Sequence, residues 1–240
     1  LNLVCKKIPK ILNMHSSVLN KLGFVHLRRV LSPQLLLDLN CILSSVFEEV
    51  KKTKFAKTQQ SFWQKEPSRQ IKTLRLPNVD KILSNDQTFL SVLNITTTSL
   101  EKHFDCKLNL CGVHSFFKPA KIGIETPWHQ DPAYGEDSVE YSNITCWIPL
   151  RDVLSETESC LEFIPGSQVN KKLRHHSPLS KKRLSALIAD VSDHETTNSI
   201  TVPCKLGDMV LHKSYVLHRS TPNFSDQDRI SVVFIYKQKI

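Results

Sequence analysis

Leu108-Asn109-Leu110-Cys111-Gly112-Val113-His114-Ser115-Phe116-Phe117 is where the chain changes character. From this stretch onward come short apolar runs at 144–150, 161–164, 200–202, 209–212 and 230–236, bounded by Pro, Gly or Asp. Runs of that length and punctuation fit a sandwich or a rolled antiparallel barrel better than a parallel sheet. Upstream the pattern is helical. Phe24-Val25-His26-Leu27 reads as a short strand, after which Ser32 offers an N-cap and Pro33 takes the first helical position. Leu35, Leu39, Ile42, Val46 and Val50 then recur at three- and four-residue spacing. They form one apolar stripe on a helix of about five turns, closed by the positive segment 51–57. Segment 58–80 is polar and broken by Pro67 and Pro77, with a strand expected at 71–76. A second helix is expected to start near Asp86 and to carry Phe89, Leu93 and Leu100 inward, although Thr96-Thr97-Thr98 lowers its propensity. Residues 175–195 read as a helical or irregular insertion, with Leu184, Leu187, Ile188 and Val191 partly periodic.

No internal repeat or long linker divides this order. The 240 residues are enough for one compact domain with a sizeable core. The expected organisation is therefore a single domain over 1–240, mainly β, with helical N-terminal support at 30–105 and a β-roll core at 106–240. Lys and Arg number 32 against 23 Asp and Glu, a formal charge of +9 that favours anionic partners. The basic runs Lys51-Lys52-Thr53-Lys54 and Lys171-Lys172-Leu173-Arg174 lack the interleaved aromatic rings that stack single-stranded bases, so nucleic acid is not the expected partner. The seven cysteines are an odd number without a CxxC pair. Cys41, Cys106, Cys111 and Cys146 stand in apolar surroundings, where free thiols pack as small hydrophobes. That usage suits the cytoplasm or another reducing intracellular compartment. No apolar run reaches eighteen residues, so no membrane-spanning helix is expected.

Chemistry enters with Pro127-Trp128-His129-Gln130-Asp131. His129 and Asp131 alternate by two, so both side chains leave one face of an extended segment. His218 follows far downstream, near an expected strand end, in His218-Arg219-Ser220. Two imidazoles and a carboxylate supply half an octahedral shell for iron and leave the other half open for a cosubstrate and oxygen. Arg229, eleven residues beyond His218, is placed to clamp the far carboxylate of an organic acid on that metal. A planar guanidinium suits that task better than the point charge of a lysine.

Around these residues stand Trp147, the run Cys160-Leu161-Glu162-Phe163-Ile164-Pro165-Gly166-Ser167, the pair Gly207-Asp208, and His218-Arg219-Ser220-Thr221-Pro222-Asn223-Phe224-Ser225 leading to Arg229. In this order and spacing the chain resembles the phytanoyl-CoA dioxygenase group of iron(II)- and 2-oxoglutarate-dependent oxygenases, over residues 23–236. The resemblance implies a double-stranded β-helix (a cupin-like jelly roll). It implies that His129, Asp131 and His218 ligate iron(II), and that Arg229 holds the C5 carboxylate of 2-oxoglutarate with help from the Ser220 hydroxyl. Trp147 would wall the cosubstrate, Lys72 would reach it, and Gln130 would face the substrate or fix the loop. The implied reaction uses O2 to hydroxylate an unactivated C–H bond of a small organic substrate, releasing succinate and CO2. Asp131 agrees with that outcome, because related halogenases carry a small residue there.

Lys171, Lys172, Arg174, His175 and His176 follow Pro165-Gly166-Ser167, where the family often builds a substrate lid; they would either meet an anionic substrate group such as a phosphate or form a plain solvated lid. Two departures stand out. The family's Asn-Gly-Cys-Leu appears as Glu158-Ser159-Cys160-Leu161, and its Pro-Gly-Ser-His as Pro165-Gly166-Ser167-Gln168. Serine tolerates positive φ poorly, so a different turn is expected before that strand. Two other readings stand beside the oxygenase: a non-catalytic cupin-like metal-binding protein, and a basic interaction module for nucleic acid or protein on the same fold.

Overall fold

The computed structural model of the protein describes residues 16–53, 73–134, 143–169, 172–180 and 183–238. The larger sheet runs β1 (Phe24–Leu27), β10 (Met209–Lys213), β5 (Asn143–Pro149), β12 (Arg229–Gln238), β3 (Leu108–Lys118), β2 (Leu74–Leu76), with every neighbouring pair antiparallel. The smaller sheet runs β4 (Thr126–His129), β11 (His218–Ser220), β6 (Leu161–Phe163), β9 (Ile200–Val202). These are the two sheets of a jelly roll, as expected.

Period-two alternation decides what each face holds. On β5, β10 and β12, the residues Cys146, Ile148, Met209, Leu211, Val232 and Phe234 point toward the helices and join their core. Their neighbours Trp147, Val210 and Val233 point the other way and pack with Phe163 of β6 and Val202 of β9 between the sheets. The polar residues of the site belong to this second, inner face.

Helix α1 (Pro33–Lys51) begins with Ser32 in extended conformation at its N-cap and proline in its first turn, yet the serine side chain makes no capping bond. Its fully buried row is Leu36, Leu39, Leu43 and Phe47, while Leu35, Ile42, Val46 and Val50 of the expected stripe lie partly buried beside it. Helix α2 (Gln87–Phe104) is capped by Asp86, which accepts from the Phe89 amide, and buries Phe89, Val92, Thr96 and Leu100; Leu93 is only partly buried. Of the strand expected at 71–76, Leu74–Leu76 is present, and residues 71 and 72 lie outside the described ones.

Two expectations are corrected. Residues 175–195 carry β7 (His176–Ser180) paired antiparallel with β8 (Arg183–Ala189), followed by a short helix, Asp193–Thr197. Pro178 has no amide proton for a helix interior, and the strands pair His176 with Ala189, Ser177 with Ile188 and Ser180 with Arg183 across the hairpin. Ala189 packs with Trp128, Ile164 and Leu217, which seats the hairpin on the smaller sheet. Among the cysteines expected to pack as hydrophobes, Cys146 is buried, but Cys41 and Cys111 are exposed and Cys106 is intermediate. The six described cysteines are all free thiols, and no helix among the described residues is long and apolar enough to cross a membrane.

Candidate metal centre and its cavity

Strand register brings the first two candidate ligands together. His129 ends β4 and sits directly opposite His218 at the start of β11, with ring centroids 4.1 Å apart. Asp131 is not on the same extended segment, contrary to expectation, because β4 stops at His129 and a 3-10 turn, Asp131–Tyr134, begins. That turn carries the carboxylate back: Asp131 Oδ1 lies 3.6 Å from His218 Nε2 and 4.0 Å from His129 Nε2. One ligand atom from each of the three lies within 4.8 Å of the others.

The backbone sets the tautomers. His129 Nδ1 donates to the Pro127 carbonyl at 2.8 Å and His218 Nδ1 to the Val216 carbonyl at 3.1 Å. Both Nε2 lone pairs are thereby left facing Asp131. Thr145 donates to Asp131 Oδ2 at 2.8 Å, leaving Oδ1 toward the imidazoles. Burial, then the neighbouring His218, pushes His129 down to about 3. Burial, then His212, pushes His218 down to about 4. Burial raises the Asp131 carboxyl, but the three surrounding imidazoles and the Thr145 hydroxyl outweigh it and hold the group ionised. Neutral imidazoles and a carboxylate are the protonation states a divalent cation requires, so a 2-His-1-carboxylate donor set fits iron(II) here.

The triad lines a cavity of about 350 Å³ that Arg229, Ser220 and Trp147 also line. Arg229 opens β12 and is buried. Its Nη1 donates to Ser231 Oγ at 2.8 Å and its Nη2 to Ser159 Oγ at 2.6 Å, while its Nε is buried with no partner. Burial, then Arg151, lowers the guanidinium to about 9. The Trp147 ring lies 5.7 Å from its centre. Ser159 occupies the position of the family's glycine and keeps that turn's left-handed conformation, at φ 69°. The turn is therefore retained rather than replaced, and the serine side chain holds Arg229. Gln168, the other departure, donates to the Asn20 carbonyl at 3.0 Å.

Lys72 lies outside the described residues. Arg75, three positions on, lines the cavity, and its Nη2 donates to His114 Nε2 at 3.1 Å. Gln130 takes the second of its two expected roles: its amide donates to the carbonyls of Lys172 and Tyr215 and accepts from the Arg174 amide. Of the expected lid cations, Arg174 pairs with Glu195, and His176 accepts from the Gln130 amide at 3.1 Å. Both are committed to holding the segment in place. Lys171 lies outside the described residues.

His114, Lys118, Arg75, His212 and Thr145 escaped the sequence reading. His212 is buried on β10, with its ring 4.3 Å from that of His218. The available signal was the period-two row of β3, where His114, Phe116 and Lys118 share the cavity face.

The family model for phytanoyl-CoA dioxygenase (PhyH) matches residues 19–231. Phytanoyl-CoA dioxygenase domain-containing protein 1 of Danio rerio is 32% identical over 115 residues, 47% of this chain and 39% of that protein. Its homolog in Dictyostelium discoideum is 29% identical over 123 residues, 50% of this chain and 43% of that protein. The chain thus matches less than half the length of these relatives. Among solved structures, EvdO2 from Micromonospora carbonacea var. aurantiaca complexed with 2-oxoglutarate superposes with a TM-score of 0.70 at 19% identity, covering 94% of this chain and 90% of that one. The epimerase SnoN in complex with Fe3+, alpha ketoglutarate and nogalamycin RO gives 0.69 at 18% identity, covering 95% and 84%. At these identities the structures establish a shared fold.

Proposed function

The chain belongs to the phytanoyl-CoA dioxygenase family, and from that premise we propose that it is an iron(II)- and 2-oxoglutarate-dependent oxygenase acting on a small organic substrate. The observation that carries the proposal is the pairing of two features in one cavity. Three ligand atoms converge within 4.8 Å, and the same cavity is lined by a buried guanidinium with an unpaired Nε. A buried charge without a counterion is costly, and the distal carboxylate of 2-oxoglutarate would supply one.

His129, Asp131 and His218 would hold the metal through Nε2, Oδ1 and Nε2. Arg229 would receive the distal carboxylate, Ser220 would donate to it, and Trp147 would wall it. Lys72 would reach the cosubstrate, and Arg75, which lines the cavity, adds a further basic group to it. The chemistry supplied by iron(II) and 2-oxoglutarate when bound is activation of O2, with succinate and CO2 as co-products. The residues of this chain fix positions and exclude water. We read the outcome as hydroxylation, because Asp131 occupies the coordination position that a halogenase leaves to chloride. An anionic substrate suits the formal charge of +9.

The test is succinate formation after anaerobic iron loading and exposure to oxygen, with a panel of candidate substrates. His218→Ala is expected to abolish it, and Arg229→Ala to raise the 2-oxoglutarate requirement chiefly. Equal activity in both variants and the parent would remove these assignments. Metal binding without any succinate would instead favour a non-catalytic metal protein.

A further inference from the structure

The β3–β12 ladder places Lys118 directly opposite Arg229. Both side chains are almost fully buried, and both line the cavity. Like charges directly opposite each other in a sheet are destabilising, and burial makes the repulsion worse. Among the described residues neither cation is paired with a carboxylate: Lys118 Nζ reaches the Ser220 carbonyl, Ser220 Oγ and the Thr221 carbonyl, and Arg229 reaches Ser159 and Ser231. Two buried cations in one wall with no anion beside them among the described residues make an incomplete charge set.

The contacts of Lys118 define its part. Burial, then the facing Arg229, lowers Lys118 well below the ordinary lysine value, and a carboxylate bound beside both cations would offset that pull; the ammonium so favoured has three protons and no acceptor. Its three partners use all three, so it has none left for a ligand. Its 2.7 Å bond to Ser220 Oγ makes that hydroxyl an acceptor, and the Ser220 proton then has no acceptor among the described residues. We propose that Lys118 is a positioning residue for the cosubstrate: it turns the Ser220 hydroxyl into an obligatory donor and adds a second buried positive charge behind the distal carboxylate. This rests on the oxygenase reading above and extends it to a residue outside the metal, Arg229 and Ser220 set.

The experiment is calorimetry on the full chain with Mn(II) in place of iron and oxygen excluded. It compares 2-oxoglutarate with pyruvate, which shares the 2-oxo acid head and lacks the distal carboxylate. The parent is expected to bind 2-oxoglutarate more tightly than pyruvate; absence of that preference removes the cosubstrate reading and this inference with it. With the preference present, Lys118→Met is expected to weaken 2-oxoglutarate about tenfold or more, because the distal carboxylate loses a nearby buried positive charge and the fixed direction of the Ser220 donor, and to leave pyruvate unchanged. Ser220→Ala is expected to weaken 2-oxoglutarate as well. The double variant should lose less than the two single losses combined, because one residue acts through the other. Parent-like 2-oxoglutarate binding by Lys118→Met, or equal loss of both ligands, overturns the proposal. Should that variant fail to fold, Lys118→Gln, which retains amide donors for the two carbonyls, takes its place in the same comparison, with the same expected and overturning results.

Discussion

Ser159 combines a backbone cost with a side-chain gain at one position. Its φ of 69° costs a residue bearing Cβ about 1 kcal/mol relative to glycine. In return its hydroxyl donates to the Thr221 carbonyl and accepts from Arg229 Nη2. Ser159→Ala loses both bonds and keeps the strain, whereas Ser159→Gly loses both bonds and relieves it. The glycine variant is therefore expected to be more stable than the alanine variant by about 1 kcal/mol in denaturant unfolding, while both bind 2-oxoglutarate more weakly than the parent. Equal stability of the two, or undiminished 2-oxoglutarate binding, would remove this account. Legibility at this scale followed spacing. The HxD pair and the His218-to-Arg229 interval could be read because their spacing is itself the signal. Lys118, His114 and His212 could not: alternation groups His114 with Lys118 on one face of their strand, but a basic residue in an apolar strand looks the same facing a cavity or facing solvent. Only the pairing register gives it a direction.

The β7–β8 hairpin is held against the metal centre at two points. Gln130, between two candidate ligands, binds backbone groups of Lys172, Arg174 and Tyr215, and the Tyr134 hydroxyl engages both the amide and the carbonyl of Leu187. Gln130→Ala removes three part-buried bonds to backbone groups and is expected to destabilise the segment by about 1–3 kcal/mol. Hydrogen exchange should then quicken locally, at the Arg174 amide first, with α1 and α2 unaffected. Unchanged exchange at Arg174 would show that the hairpin is held by packing alone. This element was also misread from sequence. Its apolar residues sit irregularly, and what makes it a hairpin is tertiary: Ala189 packs against Trp128 and Leu217. By contrast, the β-roll strands and both long helices were readable, since their periodicity is set by burial on a single core.

At the scale of the molecule, the two sheets shut several neutral imidazoles away from water. Burial pushes His114 and His218 down to about 4 and His129 to about 3, whereas an unfolded chain titrates histidine near ~6.5. These folded values lie below the unfolded one. Between ~6.5 and about 4 the unfolded state therefore takes up protons that the native state refuses, and stability falls as the pH falls through that window. The thermal midpoint of the metal-free protein is expected to drop on acidification from about pH 7 to about pH 5; a flat profile would contradict the burial of these rings. The facing of His129 and His218 across β4 and β11 has a further consequence for assembly. Sliding one strand by a single residue would turn its imidazole to the opposite side of the sheet. A divalent ion held by both rings would then act as a proofreader of alignment, stabilising the native pairing and no misaligned competitor.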